Sequence, residues 1–326
     1  MDSALAWLIS ITAAVIPTVV YVWILWWFDR YEKEPRRLLL VALVWGAVPA
    51  VIVSILAGRV LGQPLAALSE DTFELVSSSV LAPVVEEVAK GLAVFLLFLF
   101  FRREFDDVLD GIIYGATIGF GFAMTENAFY FMRSLRTGGL QALTISVFLR
   151  AFVFGLNHAL FTSVFGAALG YVRMARVGCQ RWVVAPLGLL GGMALHGIHN
   201  LFATLVQVSC FSLLLSVISN WGGVLVIFVV MVLAWQQEKR WIAMHLEAEV
   251  ESGLITQEEY EVIGSYRRRL AAQWQAWSRQ GLGKARRLGK LAQLATELAF
   301  KVEQGDERTA QRLREEIATL RGSQRV

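Results

Sequence analysis

The stretch APVVEEVAK, residues 82–90, sets Glu86, Glu87 and Lys90 inside a run from Leu75 to Phe101 that otherwise reads as lipid-soluble helix. Each charge near a bilayer centre costs roughly 2.5 to 3.5 kcal/mol on the gentler insertion scales, so three together mark a functional site. Similar residues recur downstream: Glu126 and Asn127 in MTEN, Arg150, Asn157 and His158 in the next apolar run, and His196, His199 and Asn200 in HGIHN. Carboxylates and imidazoles in a wet pocket are the equipment of hydrolysis. A carboxylate in partly apolar surroundings becomes a better base toward water. Two histidines and an asparagine can then orient that water and hold the oxyanion of a tetrahedral intermediate. In a second route, His158, His196 and a glutamate hold a zinc ion whose bound water is the nucleophile. Residue types alone do not choose between the two.

Helical spacing sorts these side chains. His196 and Asn200 are four apart and share a face, with His199 on its edge; Glu86 and Lys90 are also four apart and can pair. Glu87 points about a third of a turn away, so the two glutamates need not do the same job. At roughly 1.5 Å of rise per residue, Glu86 lies about 16 Å from the outer surface, Glu126 about 10, Arg150 about 12, His196 about 15 and Asn200 about 9, with His158 deeper at about 24. Four helices therefore converge on one polar layer in the outer half of the membrane. Singly, each residue has a plainer reading: an ion pair for Glu86 and Lys90, interhelical hydrogen bonds for His196 and His199, a structural partner for Arg150, and scaffold for Glu126 and Asn127. Their joint occurrence at similar depth argues for a shared site.

The elements that must hold this site are membrane helices. The chain is 56% hydrophobic and only 17% charged, which excludes an ordinary soluble domain. Apolar runs near 4–28, 37–61, 75–101, 110–132, 142–171, 182–206 and 211–235 give an all-α, polytopic transmembrane bundle of about seven spans. The first run is too long for a signal peptide and has no basic leader, so a retained helix is expected. Arg30, Lys33, Arg36 and Arg37, then Arg102 and Arg103, then Arg173, Arg176 and Arg181 mark alternate loops as cytoplasmic. The N-terminus is then outside and the C-terminus inside, and Cys179 and Cys210 fall on opposite sides, too far apart to pair. Gly111, Gly115 and Gly119 repeat every four residues, the pattern that lets transmembrane helices approach closely.

After Trp235 the composition turns to mixed charge, which divides the chain into a membrane domain, 1–235, and a cytoplasmic helical tail, 236–326. TQEE at 256–259 has capping-box spacing. Arg267, Arg268, Arg269, Lys284, Arg286, Arg287 and Lys290 surround Trp274 and Trp277, so the tail is read either as a solvated hairpin that meets a cytoplasmic partner or as a surface for anionic lipid. No nucleic-acid partner is expected. Intramembrane Glu, His, Arg and Lys also mark ion pathways, so a proton- or ion-coupled transporter is the alternative function. Against it, the polar set is confined to the middle helices and shows no inverted repeat.

In order and spacing, PxxEExxK at Pro83, Glu86, Glu87 and Lys90, the run Asp110 to Asn127, FxxxH at Phe154 and His158, and HxxxN at His196 and Asn200 resemble the PrsW family of bacterial intramembrane proteases. More distantly they are similar to CAAX prenyl endopeptidases and bacteriocin-processing relatives. The resemblance covers the motif core, residues 83–200. It implies site-1 cleavage of a single-pass, membrane-tethered substrate such as an anti-sigma factor, near the outer face of the bacterial cytoplasmic membrane. By motif position Glu86 is the general base and Glu87 assists or orders the site. His158, His196 and Asn200 position water, stabilise the oxyanion or bind metal, with Glu86, His158 and His196 as the candidate zinc ligands. Lys90, Glu126, Asn127, Arg150 and His199 are the supporting residues.

Overall fold

The computed structural model describes residues 2–31, 33–175, 180–206 and 208–322. Arg176 and Cys179 lie outside them, and Cys210 is an exposed free thiol. The described residues form helices and no strand: α1 (Ser3–Phe28), α2 (Arg36–Trp45), α3 (Val51–Gly62), α4 (Glu70–Val76), α5 (Ala82–Phe100), α6 (Val108–Val147), α7 (Asn157–Met174), α8 (Gln180–Leu205) and α9 (Cys210–Glu251), then α10 (Gln257–Ile263), α11 (Tyr266–Gln280), α12 (Leu282–Gln304) and α13 (Glu307–Gly322). Contacts divide the chain into two units, Met1–Phe28 with Glu34–Met231, and Asp29–Lys33 with Val232–Val326.

Among the described residues, four helical stretches are long and apolar enough to cross a membrane: Ser3–Phe28, Arg36–Ala67, Val108–Met174 and Cys210–Glu251. The first two match the first two expected spans, the third embraces the expected fourth and fifth, and the fourth takes in the seventh. The expected third and sixth spans correspond to α5 and α8, the helices bearing Glu86, Glu87, Lys90, His196 and His199. The chain is a membrane-helical bundle. The loop expected between the fourth and fifth spans is instead a kink within α6, where Gly139 takes a φ of 67° that its missing Cβ allows.

The pairing of α6 with α7 is the most extensive in the first unit. Its cause is the glycine ridge: a methyl group on Gly111 would lie 2.0 Å from the Gly166 carbonyl oxygen, on Gly115 2.7 Å from that of Thr162, and on Gly119 2.2 Å from that of His158. Backbone therefore packs on backbone, and this close approach delivers the start of α7 to the site. At its own start, α6 is fixed by a capping box in which Asp107 accepts from the amides of Leu109 and Asp110 at 2.6 and 3.0 Å, while Asp110 accepts from Asp107 N at 2.9 Å. Burial, with Asp110 and Asp106 beside it, pushes the Asp107 carboxyl above the usual carboxylate range.

Three π-helical turns, Gly46–Ala50, Ser77–Leu81 and Phe148–Val153, interrupt the bundle beside the site. The second has a traceable consequence. The amide of Ala82 bonds Ser77 O, and the next residue, Pro83, has no N–H, so Ser78 O lacks a helical partner. Asn200 of α8 supplies one, its Nδ2 donating to Ser78 O at 2.9 Å.

Gly119→Val should force α7 away from α6 at His158. We expect roughly 1 to 3 kcal/mol of destabilisation from overpacking, read as a lower unfolding temperature in detergent, together with loss of activity. Gly222→Ala, where a Cβ meets open space, should lower neither.

Candidate active site

Two adjacent glutamates on α5 occupy different surroundings. Glu87 is buried, with 2% of its surface exposed, and every neighbour of its carboxylate is a donor. Lys90 Nζ lies 2.5 Å from Oε1, His196 Nδ1 lies 2.9 Å from the same oxygen, and Thr162 Oγ1 donates to Oε2 at 2.9 Å. Glu86 is partly exposed, and its buried Oε2 makes no hydrogen bond. That oxygen faces His196 Nε2 at 3.8 Å and Lys90 Nζ at 4.0 Å.

The partners assign the imidazole tautomers. Because the Glu87 carboxylate can only accept, His196 carries its proton on Nδ1 and turns a bare Nε2 toward Glu86. His158 is the reverse. Lys90 Nζ, which can only donate, sits 3.2 Å from Nδ1, so the proton is on Nε2 and is donated to Glu126 Oε2 at 2.9 Å. Glu126 also accepts from Arg150 Nη2 at 2.6 Å, and Arg150 Nε donates to Asn127 Oδ1 at 2.8 Å. The two rings meet edge to face with centroids 5.1 Å apart, and Phe161 stacks on His196 at 4.8 Å. Lys90 is fully buried, with the Phe122 ring 4.5 Å below its ammonium.

Of the residues expected in the site, Glu86, Glu87, Lys90, Glu126, Asn127, Arg150, His158 and His196 form one connected set from α5, α6, α7, α8 and the π-helical turn Phe148–Val153. His158 is part of it despite the greater depth expected for it. The turn at residues 154–156 ends the preceding helix and restarts α7 at Asn157, so counting along one straight helix misplaces it. Asn200 lies on the wall of the same cavity, with one amide hydrogen committed to Ser78 O. His199 lines the same cavity, with Ser216 Oγ of α9 at 2.9 Å from its Nδ1. Thr162 was not anticipated from motifs. Its signal is positional, since it lies four residues after His158 on the same face of α7.

Two cavities meet at the site. One, about 620 Å³, is largely apolar and is walled by Val51, Ile55, Phe73, Val85 and Phe122, with Glu86 and Glu126 on its lining. The other, about 500 Å³, is of mixed polarity and is lined by His158, His196, Asn200 and Arg150, and again by Glu126. An apolar space and a more polar one thus reach the carboxylate–imidazole set together.

A divalent metal fits the donor set. Glu86, His158 and His196 each offer a ligand atom within 4.8 Å of the others'. A carboxylate with two imidazoles is a standard zinc set, and each imidazole is backed by a second carboxylate on its other nitrogen. With the imidazoles neutral, three carboxylates face two fixed cations, Lys90 and Arg150, which leaves one negative charge to balance. Glu86, whose Oε2 lacks a donor, is where that charge is least compensated. Lys90 covers the Nδ1 face of His158, so this histidine ligates through that atom only when Nζ moves aside.

The chain matches the model of a family described as PrsW family intramembrane metalloprotease over residues 34–236. Over 195 residues it is 28% identical to Protease PrsW of Geobacillus kaustophilus, covering 58% of this chain and 77% of the relative. It is 33% identical over 123 residues to Protease PrsW of Oceanobacillus iheyensis, covering 38% of this chain and 52% of the relative. The similarity to Protease PrsW of Clostridioides difficile is 27% over 221 residues, covering 68% and 84%. No solved structure matches.

Removing the Glu87 charge should strand the Lys90 ammonium in the core. Glu87→Gln is expected to cost about 3 to 5 kcal/mol of stability, and Thr162→Val about 1 to 3 kcal/mol for the lost hydrogen bond. Adding Lys90→Met to Glu87→Gln should recover much of the loss, a coupling that a double-mutant cycle in detergent unfolding would measure.

Proposed function

The chain belongs to the PrsW family of intramembrane proteases, and from that premise we propose that Glu86 and His196 activate the water that hydrolyses a peptide bond of a membrane-tethered substrate. Membership in a protease family selects hydrolysis over the ion-coupled transport that the same intramembrane charges would serve. The observation that carries the reading is the buried Glu86 Oε2, without a hydrogen bond and 3.8 Å from the bare Nε2 of His196. A small turn of this carboxylate toward the cavity it lines would admit one solvent molecule between the two atoms, giving a hydrogen to each and keeping an oxygen lone pair free to attack.

In this reading, Glu86 takes the proton from water as its oxygen adds to the scissile carbonyl carbon. Asn200 donates its second amide hydrogen toward the oxyanion. Glu86 then returns the proton to the leaving nitrogen, the C–N bond breaks, and a carboxylic acid and an amine leave, the acid then passing its remaining proton to the amine or to solvent. Glu87 touches no substrate and holds His196 in the working tautomer, while Glu126 does the same for His158. Zinc or a similar metal held by Glu86, His158 and His196 would polarise the carbonyl and make its bound water more acidic. The apolar cavity suits the membrane segment of a single-pass substrate, and the more polar one supplies water. Outer-half depths for Glu86, Glu126, His196 and Asn200, with basic loops on the opposite side, support an outside N-terminus, an inside C-terminus and site-1 cleavage near the outer face of the bacterial cytoplasmic membrane. A substrate of the anti-sigma-factor kind fits that topology.

Purified protein in detergent should shorten a single-pass substrate. Glu86→Gln and His196→Ala should each lower the rate by roughly two orders of magnitude or more, Glu86→Gln with the unfolding temperature unchanged and His196→Ala with a lowered one, because it also removes a donor from Glu87. Undiminished cleavage by Glu86→Gln would remove it as the base. A chelator should stop cleavage and added zinc restore it. Full activity in chelated, metal-free protein would leave the glutamate to act without a metal.

A further inference from the structure

In the second unit, every charged residue between Glu261 and Glu297 is basic. Helices α11 and α12 carry this segment as a hairpin joined at Gly281, whose φ is 88°. One side of α11 is anchored. Arg269 is buried and donates to Ile263 O and to Thr296 Oγ1, both at 2.6 Å. Leu270, Trp274 and Trp277, at spacings of four and three, share another face and are 49%, 66% and 45% exposed. The two indoles pack edge to face with centroids 4.8 Å apart, so the aromatic patch is preformed. Beyond the turn, Leu282 is 58% exposed. Arg267, Arg279, Lys284 and Arg286, all exposed, lie on the same two helices as these apolar groups.

We propose that this hairpin tip is a docking surface for an anionic lipid bilayer. Exposed apolar side chains on helices that also carry exposed cations match a headgroup layer, which takes indoles and leucines at its acyl boundary and draws lysine and arginine to its phosphates. Residues 262–296 hold no carboxylate to oppose that field; beside them, exposed Glu261 pairs with Arg268 at 2.6 Å and Glu259 shares a pocket with Lys284. A nucleic acid would use the cations and leave Trp274, Trp277 and Leu282 in water, so the apolar centre selects lipid over phosphate polymer. The chain itself brings the surface within reach of a membrane. Asp29–Lys33 of this unit follows the apolar helix α1 directly, and α9 runs into the unit without a break. Tethering of this kind makes even a weak surface effective.

The test uses the full chain with Cys179→Ser and Cys210→Ser, labelled at Leu282→Cys with an environment-sensitive nitrobenzoxadiazole dye. The labelled protein is reconstituted in nanodiscs of phosphatidylcholine alone or mixed with phosphatidylglycerol. In the anionic discs the emission should shift to the blue and be quenched by headgroup-nitroxide lipid. Each of Arg267, Arg279, Lys284 and Arg286 changed to Gln should lower the docked-to-free ratio by roughly fivefold, and Trp274→Ser with Trp277→Ser should abolish docking. Equal spectra in the two kinds of disc overturn the proposal. If the dye is water-exposed in both discs but protected when an acidic soluble protein is added, the surface belongs to a protein partner instead.

Discussion

The site depends on one buried anion. A carboxylate taken out of water costs several kcal/mol unless its lone pairs are met by donors of good geometry. Glu87 meets that condition with an ammonium, an imidazole N–H and a hydroxyl from three helices, at 2.5, 2.9 and 2.9 Å. Because α5, α7 and α8 each give it one donor, the anion ties those helices together and fixes the direction of each donor. The bare Nε2 of His196 is a consequence of that constraint, and so is the place of Lys90 between Glu87 and His158.

From Glu87 the charges alternate outward, through Lys90 to His158, on to Glu126 and then Arg150. Each member is oriented by the next, and Glu86 stands beside this chain at 3.8 to 4.0 Å from His196 and Lys90, its Oε2 without a hydrogen bond. A carboxylate held near this network and not consumed by it is poised for solvent, substrate or metal. The fold supports the arrangement mechanically through the α6–α7 glycine ridge, which brings backbone to backbone and leaves the polar set between helices and not among loops.

Much of this was legible in the sequence because charges and imidazoles in apolar helix are costly and therefore conspicuous. The clustering of Glu86, Lys90, Glu126, Arg150 and His196, the pairing of Arg150 with a glutamate, and the close packing at Gly111, Gly115 and Gly119 all follow from residue type and helical period. What was not legible came from departures from that period. Three π-helical turns and the break at residues 154–156 re-aim side chains that straight-helix counting places elsewhere, which is why His158 rises to the site. His199 shares the motif with His196, yet it lies on the adjacent face and serves Ser216. Thr162 and the Ser78 carbonyl carry no distinctive chemistry in isolation; only tertiary contact gives them roles.

Nitrogen-15 NMR of histidine-labelled protein in nanodiscs, with His196 assigned by difference from His196→Gln, tests the central claim most directly. The account predicts that His196 is protonated at Nδ1 and bare, or metal-bound, at Nε2, and that His158 holds the opposite tautomer. A proton found on Nε2 of His196 would show that Glu87 does not set this ring, and that no lone pair faces Glu86.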